Sequence, residues 1–264
     1  MADTADTQAS EGNERDTVAY IYGIVPADVE SDPEARGIGD PPSEIAVVRH
    51  GDIAALVSHI SPDKPIGKPE DLTAHAQVLD ATAGVAPVLP LRFGAVVSDE
   101  DAVTSELLAE HHDEFASALR ELDGKAEYVV KGRYDEQAVL KEILQESEDA
   151  ARLREAVKEK PEDAARNDRI ALGELINNAI AAKREVDTRK AVEKLGELGV
   201  TVNVREPTHE RDAVYVACLA EVARQSDLEK VVGELANAWE GRVHMRLLGP
   251  LAAYDFVVTK QPQE

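Results

Sequence analysis

The sequence is poor in aromatic rings, cysteine and positive charge. Phe, Trp and Tyr make up 4% of its 264 residues. A core must therefore be built from Ala, Val, Leu and Ile, and a ligand pocket lined with stacked rings is not expected. The one cysteine, Cys218, lies in the apolar run AVYVACLA. A lone thiol there reads as a small core residue, and neither a disulfide framework nor a Cys-based metal site can form. This usage suits a reducing compartment. Lys and Arg number 29 against 52 acids, a net charge of −23. There is no basic run of about five or more, so neither nucleic acid nor anionic lipid is an expected partner. No apolar run approaches the roughly 20 residues that cross a bilayer. The N-terminus, MADTADTQASEGNERD, lacks the apolar segment of a signal peptide. The expectation is a soluble protein that stays in the cytoplasm.

Signatures of catalysis are also missing. There is no phosphate-binding GxxxxGK[ST] and no GxSxG nucleophile elbow. GIGDPP, residues 37–42, is the nearest approach to GxGxxG, but it lacks the third glycine and a helix to follow. HHDE at 111–114 is not HExxH, and adjacent helical histidines point about 100° apart. With 52 acids, paired carboxylates carry no information about acid–base work. A rival reading keeps an enzyme or cofactor binder, haem included, on a ferredoxin-like scaffold. Its ligands would be His111, or His50, His59 and His75 if a hairpin packs on the first helix. The plainer reading of His111, which shares an apolar stripe with Phe115, is a histidine at the edge of the core.

What is present alternates between strand and helix patterns. Residues 1–16 are small, polar and acidic and read as a disordered tail. TVAYIYGIVP is apolar on both faces, as in a doubly buried strand. IAVVRHGDIAALVSHI reads as a hairpin turning at His50–Asp52. Leu72, His75/Ala76, Leu79 and Ala83 share one face of a helix. VLPLRFGAVV follows as a strand, and Ser98 with Asp101 resembles a capping box for the next helix. KAEYVVKGRYD is another strand. Residues 17–134 are thus expected to form a ferredoxin-like α+β domain, an antiparallel sheet with helices on one face. Residues 135–198 are helical in pattern, broken at Pro161. The strands VTVNVRE and AVYVACLAEV, a helix capped by Ser226 and Glu229, and a strand–turn–strand at Gly249–Pro250 complete a second, helix-rich α+β domain with a small antiparallel sheet, residues 135–264. TVAYIYGIV and DAVYVACLA share a doubly buried pattern with a matching tyrosine, without amounting to a repeat.

Arg92 interrupts an apolar run and falls on the face opposite Leu91 and Phe93. It reads as one half of an ion pair or as a partner contact. Four segments, YIYGIV, VLPLRFGAVV, EYVVKGRYD and RLLGPLAAYDF, occur in this order and spacing in gas vesicle accessory proteins of the GvpL/GvpF family, which the chain resembles from residue 17 to 258. The family's P-V/L-R-F-G is matched by Pro90, Leu91, Arg92, Phe93 and Gly94. Its G-P-W-P-P-Y-S-F is matched by Gly249, Pro250, Tyr254 and Phe256, with Leu251, Ala252 and Ala253 replacing the tryptophan and both later prolines. The resemblance implies a non-enzymatic protein without cofactor, of two α+β domains, the first ferredoxin-like. It implies an accessory or minor component that binds the small apolar gas vesicle shell protein and other gas vesicle accessory proteins. Such a protein assists nucleation and limits aggregation, in the cytoplasm and at the gas vesicle, and is expected to be monomeric in isolation. The candidate contact residues are Tyr20, Tyr22, Arg92, Phe93, Gly94, Gly249, Pro250, Tyr254 and Phe256.

Overall fold

The doubly apolar segment near the N-terminus forms strand β1 (Val18–Pro26), buried along almost its whole length. The computed structural model describes residues 17–161 and 164–257. The tail expected at 1–16 lies outside them. The described residues divide into two compact units, 17–82 with 88–121, and 122–257 with 83–87. In the first, β1 pairs antiparallel with β3 (Ile53–Ile60) on one edge. On the other edge it pairs with two short strands, β4 (Leu89–Pro90) and β5 (Val96–Val97). β2 (Ala46–His50) closes the expected hairpin with β3, His50 opposite Ile53. Helix α1 (Pro69–Ala83) buries Asp71, His75, Val78 and Leu79, whereas Leu72, expected on that face, is exposed.

VLPLRFGAVV is not one strand. Pro90 has no amide hydrogen to continue the ladder, and Gly94 adopts φ 96°, which side-chain-bearing residues avoid. The chain leaves the sheet after Pro90 and rejoins it at Val96. The following helix α2 (Glu100–Ala102) widens into a π-helical turn at Val103–Leu108, before α3 (His112–Leu122). Its cap is Asp99, which accepts from the Ala102 amide at 2.8 Å, so the Ser98–Asp101 box does not form.

The second unit runs β6 (Lys125–Tyr134), α4 (Glu136–Glu146), α5 (Glu148–Glu159), α6 (Arg166–Gly196), β7 (Thr201–Val204), β8 (Asp212–Glu221), α7 (Gln225–Ala238) and β9 (Val243–Leu251). Strand β6 is an inner strand, pairing antiparallel with β8 and with β9. Residues 125–134 therefore belong to the second sheet, not to the N-terminal domain expected from the sequence, and the boundary falls near residue 122 rather than 134. The strand pattern of KAEYVVKGRY was legible, but which sheet takes up its two edges is a long-range choice. Two local expectations also change. Helix α7 is entered through a tight turn at Val222–Arg224 with no side-chain cap, so Ser226 and Glu229 form no capping box. Strand β9 continues through Gly249–Pro250, a cis peptide, where its register with β6 shifts by one residue in a bulge and no turn forms. The turn comes later, where the Tyr254 amide donates to the Ala252 carbonyl at 2.8 Å.

One face of this sheet, with Tyr128, Val130, Val216, Cys218 and Val243, packs on Val139, Ile143, Ile180, Leu195, Leu228 and Trp239 of the helical side. Burial pushes the Cys218 thiol up to about 12, consistent with an inert core residue.

Both sheets share one strand order, β2-β3-β1-β4 and β7-β8-β6-β9, with the first strand of each unit in the middle. In the second unit helices make both crossovers, which is the ferredoxin-like βαββαβ connectivity. In the first unit β1 reaches β2 through a loop, residues 27–45, and only the β3–β4 crossover carries a helix, α1. The α+β class holds, and the complete ferredoxin-like connectivity lies in the second unit. The topological equivalent of β1 is β6, so the sequence likeness of β1 to β8 joins non-equivalent strands.

Candidate functional site

The candidate residues of the first unit converge on one loop. Tyr20 and Tyr22 are fully buried on β1. The Tyr20 hydroxyl sits 2.7 Å from Nδ1 of His75 on α1 and accepts from the Gly94 amide at 3.3 Å. The His75 ring also donates to the Leu91 carbonyl. Burial holds the His75 pKa below the ordinary 6.5, which favours the neutral ring, and a neutral ring that donates to Leu91 accepts the tyrosine proton at Nδ1. Phe93 packs its ring on Tyr20 and His75, at 5.8 and 5.6 Å between centroids. The Leu91 amide donates to the Tyr22 carbonyl and the Ile21 amide to the Ala95 carbonyl, both at 2.9 Å. Tyr22 belongs to the same cluster, its ring 5.0 Å from Tyr20 and stacked on His75 at 5.6 Å between centroids. Its hydroxyl donates to Ser58 at 2.9 Å and accepts from the Ile38 amide at 2.8 Å, which pins the long β1–β2 loop.

Residues 91–95 are thus held at the backbone by β1 and α1. Along 91–97 exposure alternates: Leu91, Phe93, Ala95 and Val97 are half-buried, and Arg92, Gly94 and Val96 face outward. Among the described residues Arg92 has neither a hydrogen bond nor an ion pair. The ion pair, one of the two readings of Arg92, does not form among the described residues.

The second family segment is held by charge. Glu127 on β6 is 1% exposed. It accepts from Arg205 Nη2 at 2.6 Å and from the Asp255 amide at 2.9 Å. Arg205 also binds Asp255 through Nε and Nη2, both at 2.8 Å. Asn203 donates to the same carboxylate at 3.1 Å. Burial raises the Glu127 pKa against the pull of these donors. Gly249 has φ 134°, and a Cβ there would meet the Tyr128 ring at 2.6 Å. Pro250 and Phe256 are half-buried, and Tyr254 is 42% exposed. The four family segments fall two in each unit, so the nine candidates form two groups. Sequence reading missed His75 as a clamp and missed Glu127, Arg205 and Asp255 altogether. The one available signal was an acid, Glu127, inside a doubly apolar strand.

The histidines of the rival reading do not gather. His75 is in the aromatic cluster, His59 faces Glu100 at 3.2 Å, and His50 lies edge-on to His112. His111 tilts against Phe115. Among the described residues no group of three His, Cys, Asp or Glu could hold a metal ion, and no helix is long and apolar enough to cross a membrane.

Residues 18–258 match the family described as Gas vesicle synthesis protein GvpL/GvpF. Gas vesicle protein F of Streptomyces sp. (strain CB03234) is 34% identical over 241 residues, covering 90% of this chain and 98% of that protein. Gas vesicle protein L of the same organism is 35% identical over 154 residues, covering 53% of this chain and 56% of that protein. The crystal structure of the gas vesicle protein GvpF from Anabaena sp. PCC7120 superposes with a TM-score of 0.72 at 23% identity, covering 90% of this chain and 97% of that one. That likeness speaks for the fold, the sequence matches for the family. The chain belongs to the GvpL/GvpF family of gas vesicle proteins, an accessory family and not a known enzyme family.

Proposed function

We propose that this accessory protein binds the apolar gas vesicle shell protein and limits its aggregation during nucleation and assembly, with other accessory proteins as further partners. The observation that carries the reading is the outward row Arg92, Gly94 and Val96 on a loop whose backbone is already held in place. A loop ordered before binding loses little entropy on contact. Val96, 41% exposed on an edge strand, offers apolar surface and an open backbone edge. Arg92 offers a guanidinium that no acid of this chain neutralises among the described residues, although the chain carries 52 acids. Arginine beside apolar surface is a common anchor at interfaces. Tyr20, Tyr22 and Phe93 then act by holding the loop, and Arg92 and Val96 by touching the partner. Once an apolar subunit is bound, the charge of −23 would keep the complex dispersed.

The test is co-expression with the shell protein, followed by sedimentation and affinity capture. The wild-type chain should keep shell protein in the supernatant and co-purify with it. An Arg92→Glu, Val96→Asp double variant should let it pellet. Equal pelleting with and without the wild-type chain, together with no capture, would refute the reading.

A further inference from the structure

Strand β9 lies at one edge of the second sheet, and its register with β6 sets Lys131 opposite Arg246 and Arg133 opposite His244. The alternation of both strands turns these four side chains away from the helices, since Val130, Gly132, Met245 and Val243 take the packed face. Like charges placed directly across a ladder are destabilising. The arrangement stands in a chain where acids outnumber bases 52 to 29.

The nearby acids are already engaged. Asp212 approaches Arg133 at 3.5 Å and Lys131 at 3.9 Å. Its buried carboxylate accepts from the Thr208 amide and hydroxyl and the His209 amide at 2.9, 3.0 and 2.9 Å, and these donors hold its pKa low against burial. Glu136 pairs with Arg211 at 2.9 Å, and Asp135 caps α4 through the Ala138 amide. The side chains of Arg246 and His244 are exposed and have no hydrogen bond or ion pair among the described residues. With Arg211 they line one open concavity.

We propose that this face docks a short, extended acidic segment of a partner protein, whose carboxylates on alternate residues meet Lys131, Arg133 and Arg246. The spacing supports this occupant. Side chains two apart on a strand recur at about 6.6 Å, and neighbouring strands lie about 4.8 Å apart. An extended peptide with Asp or Glu at every second position repeats the first of these distances. A nucleic acid fits less well, because a long polyanion would run off this small patch onto a strongly acidic surface. The patch is in the second unit and Arg92 in the first, so the inference stands whether or not the shell-binding reading does.

Fluorescence anisotropy of the full chain with a labelled peptide of alternating Asp and Ser residues tests it. Saturable binding that weakens with added salt is expected, and a peptide of the same composition with its Asp residues in one block should bind more weakly. Arg246→Glu should raise Kd by about tenfold or more, Arg246→Lys should restore most of the affinity, and Arg120→Glu, the same charge change at an exposed position of α3, should leave it unchanged. No saturable binding at low salt would overturn the proposal. So would an isotherm insensitive to Arg246→Glu, or tighter binding of a single-stranded oligonucleotide of equal charge.

Discussion

Tyr20 shows how much one hydroxyl can organise. It joins β1, α1 and the 91–95 loop through His75 and Gly94. Tyr20→Phe leaves a buried imidazole nitrogen and the Gly94 amide without that oxygen. Such losses cost about 1–3 kcal/mol, and chemical denaturation should read a destabilisation in that range. Hydrogen exchange at Gly94 should accelerate with it. His75 supplies a pH dependence of definite sign. Its folded pKa is depressed below the ordinary 6.5 by burial. Its contribution is complete above that value and is lost as pH falls through the folded pKa. His112 works the other way. The carboxylates of Asp113 and Asp52 raise its pKa, so its contribution is complete below 6.5 and is lost as pH rises through the raised value. Denaturation midpoints against pH should show His112→Asn flattening the alkaline side and leaving the acid side, governed by His75, intact.

At the scale of elements, the end of β9 and the turn after it depend on a charge cluster rather than on apolar packing. Glu127 is buried because β6 is an inner strand, and Arg205 and the Asp255 amide make that burial tolerable. Arg205→Met leaves a buried carboxylate without its cation, a change that costs about 3–5 kcal/mol. Urea denaturation should register it, with increased exchange across 252–257. Because burial raises the Glu127 pKa, the protonated acid is the form the fold accepts more readily. The penalty in Arg205→Met should therefore be larger at about pH 8 than at about pH 5. Gly249→Ala should destabilise the same element, because its φ of 134° disfavours a side chain and its Cβ would press on Tyr128. Across the replaced tryptophan and prolines of the family segment, this charged clamp and the buried Ala252 and Ala253 hold the chain in place.

For the whole molecule, the decisive strand is β6. A fragment of residues 122–264 retains the inner strand of the second sheet, whereas one starting at residue 135 leaves β8 and β9 without the strand that joins them. Circular dichroism and thermal melts should find cooperative unfolding in the first and a loss of it in the second. Local pattern could not place this boundary. Period-2 apolarity marks KAEYVVKGRY as a strand equally well for either sheet, and its partners lie about 80 to 120 residues further along the chain. The same limit explains the reading of VLPLRFGAVV as one strand. Its apolar run, interrupted by Arg92, has the length and pattern of a strand, but Pro90 and the positive φ at Gly94 break the ladder.

The sequence by itself determined the α+β class, the positions of nearly all strands and helices, the acidic surface and the family. Each follows from residue type, short-range periodicity or motif order. Tertiary structure alone decided that both sheets share one strand order, that Tyr20, His75 and Phe93 serve as a clamp, and that Arg92 stands without an acid among the described residues in a chain full of them. These depend on which distant segments meet, and that is settled by burial and backbone pairing across the whole fold, where no local spacing records it.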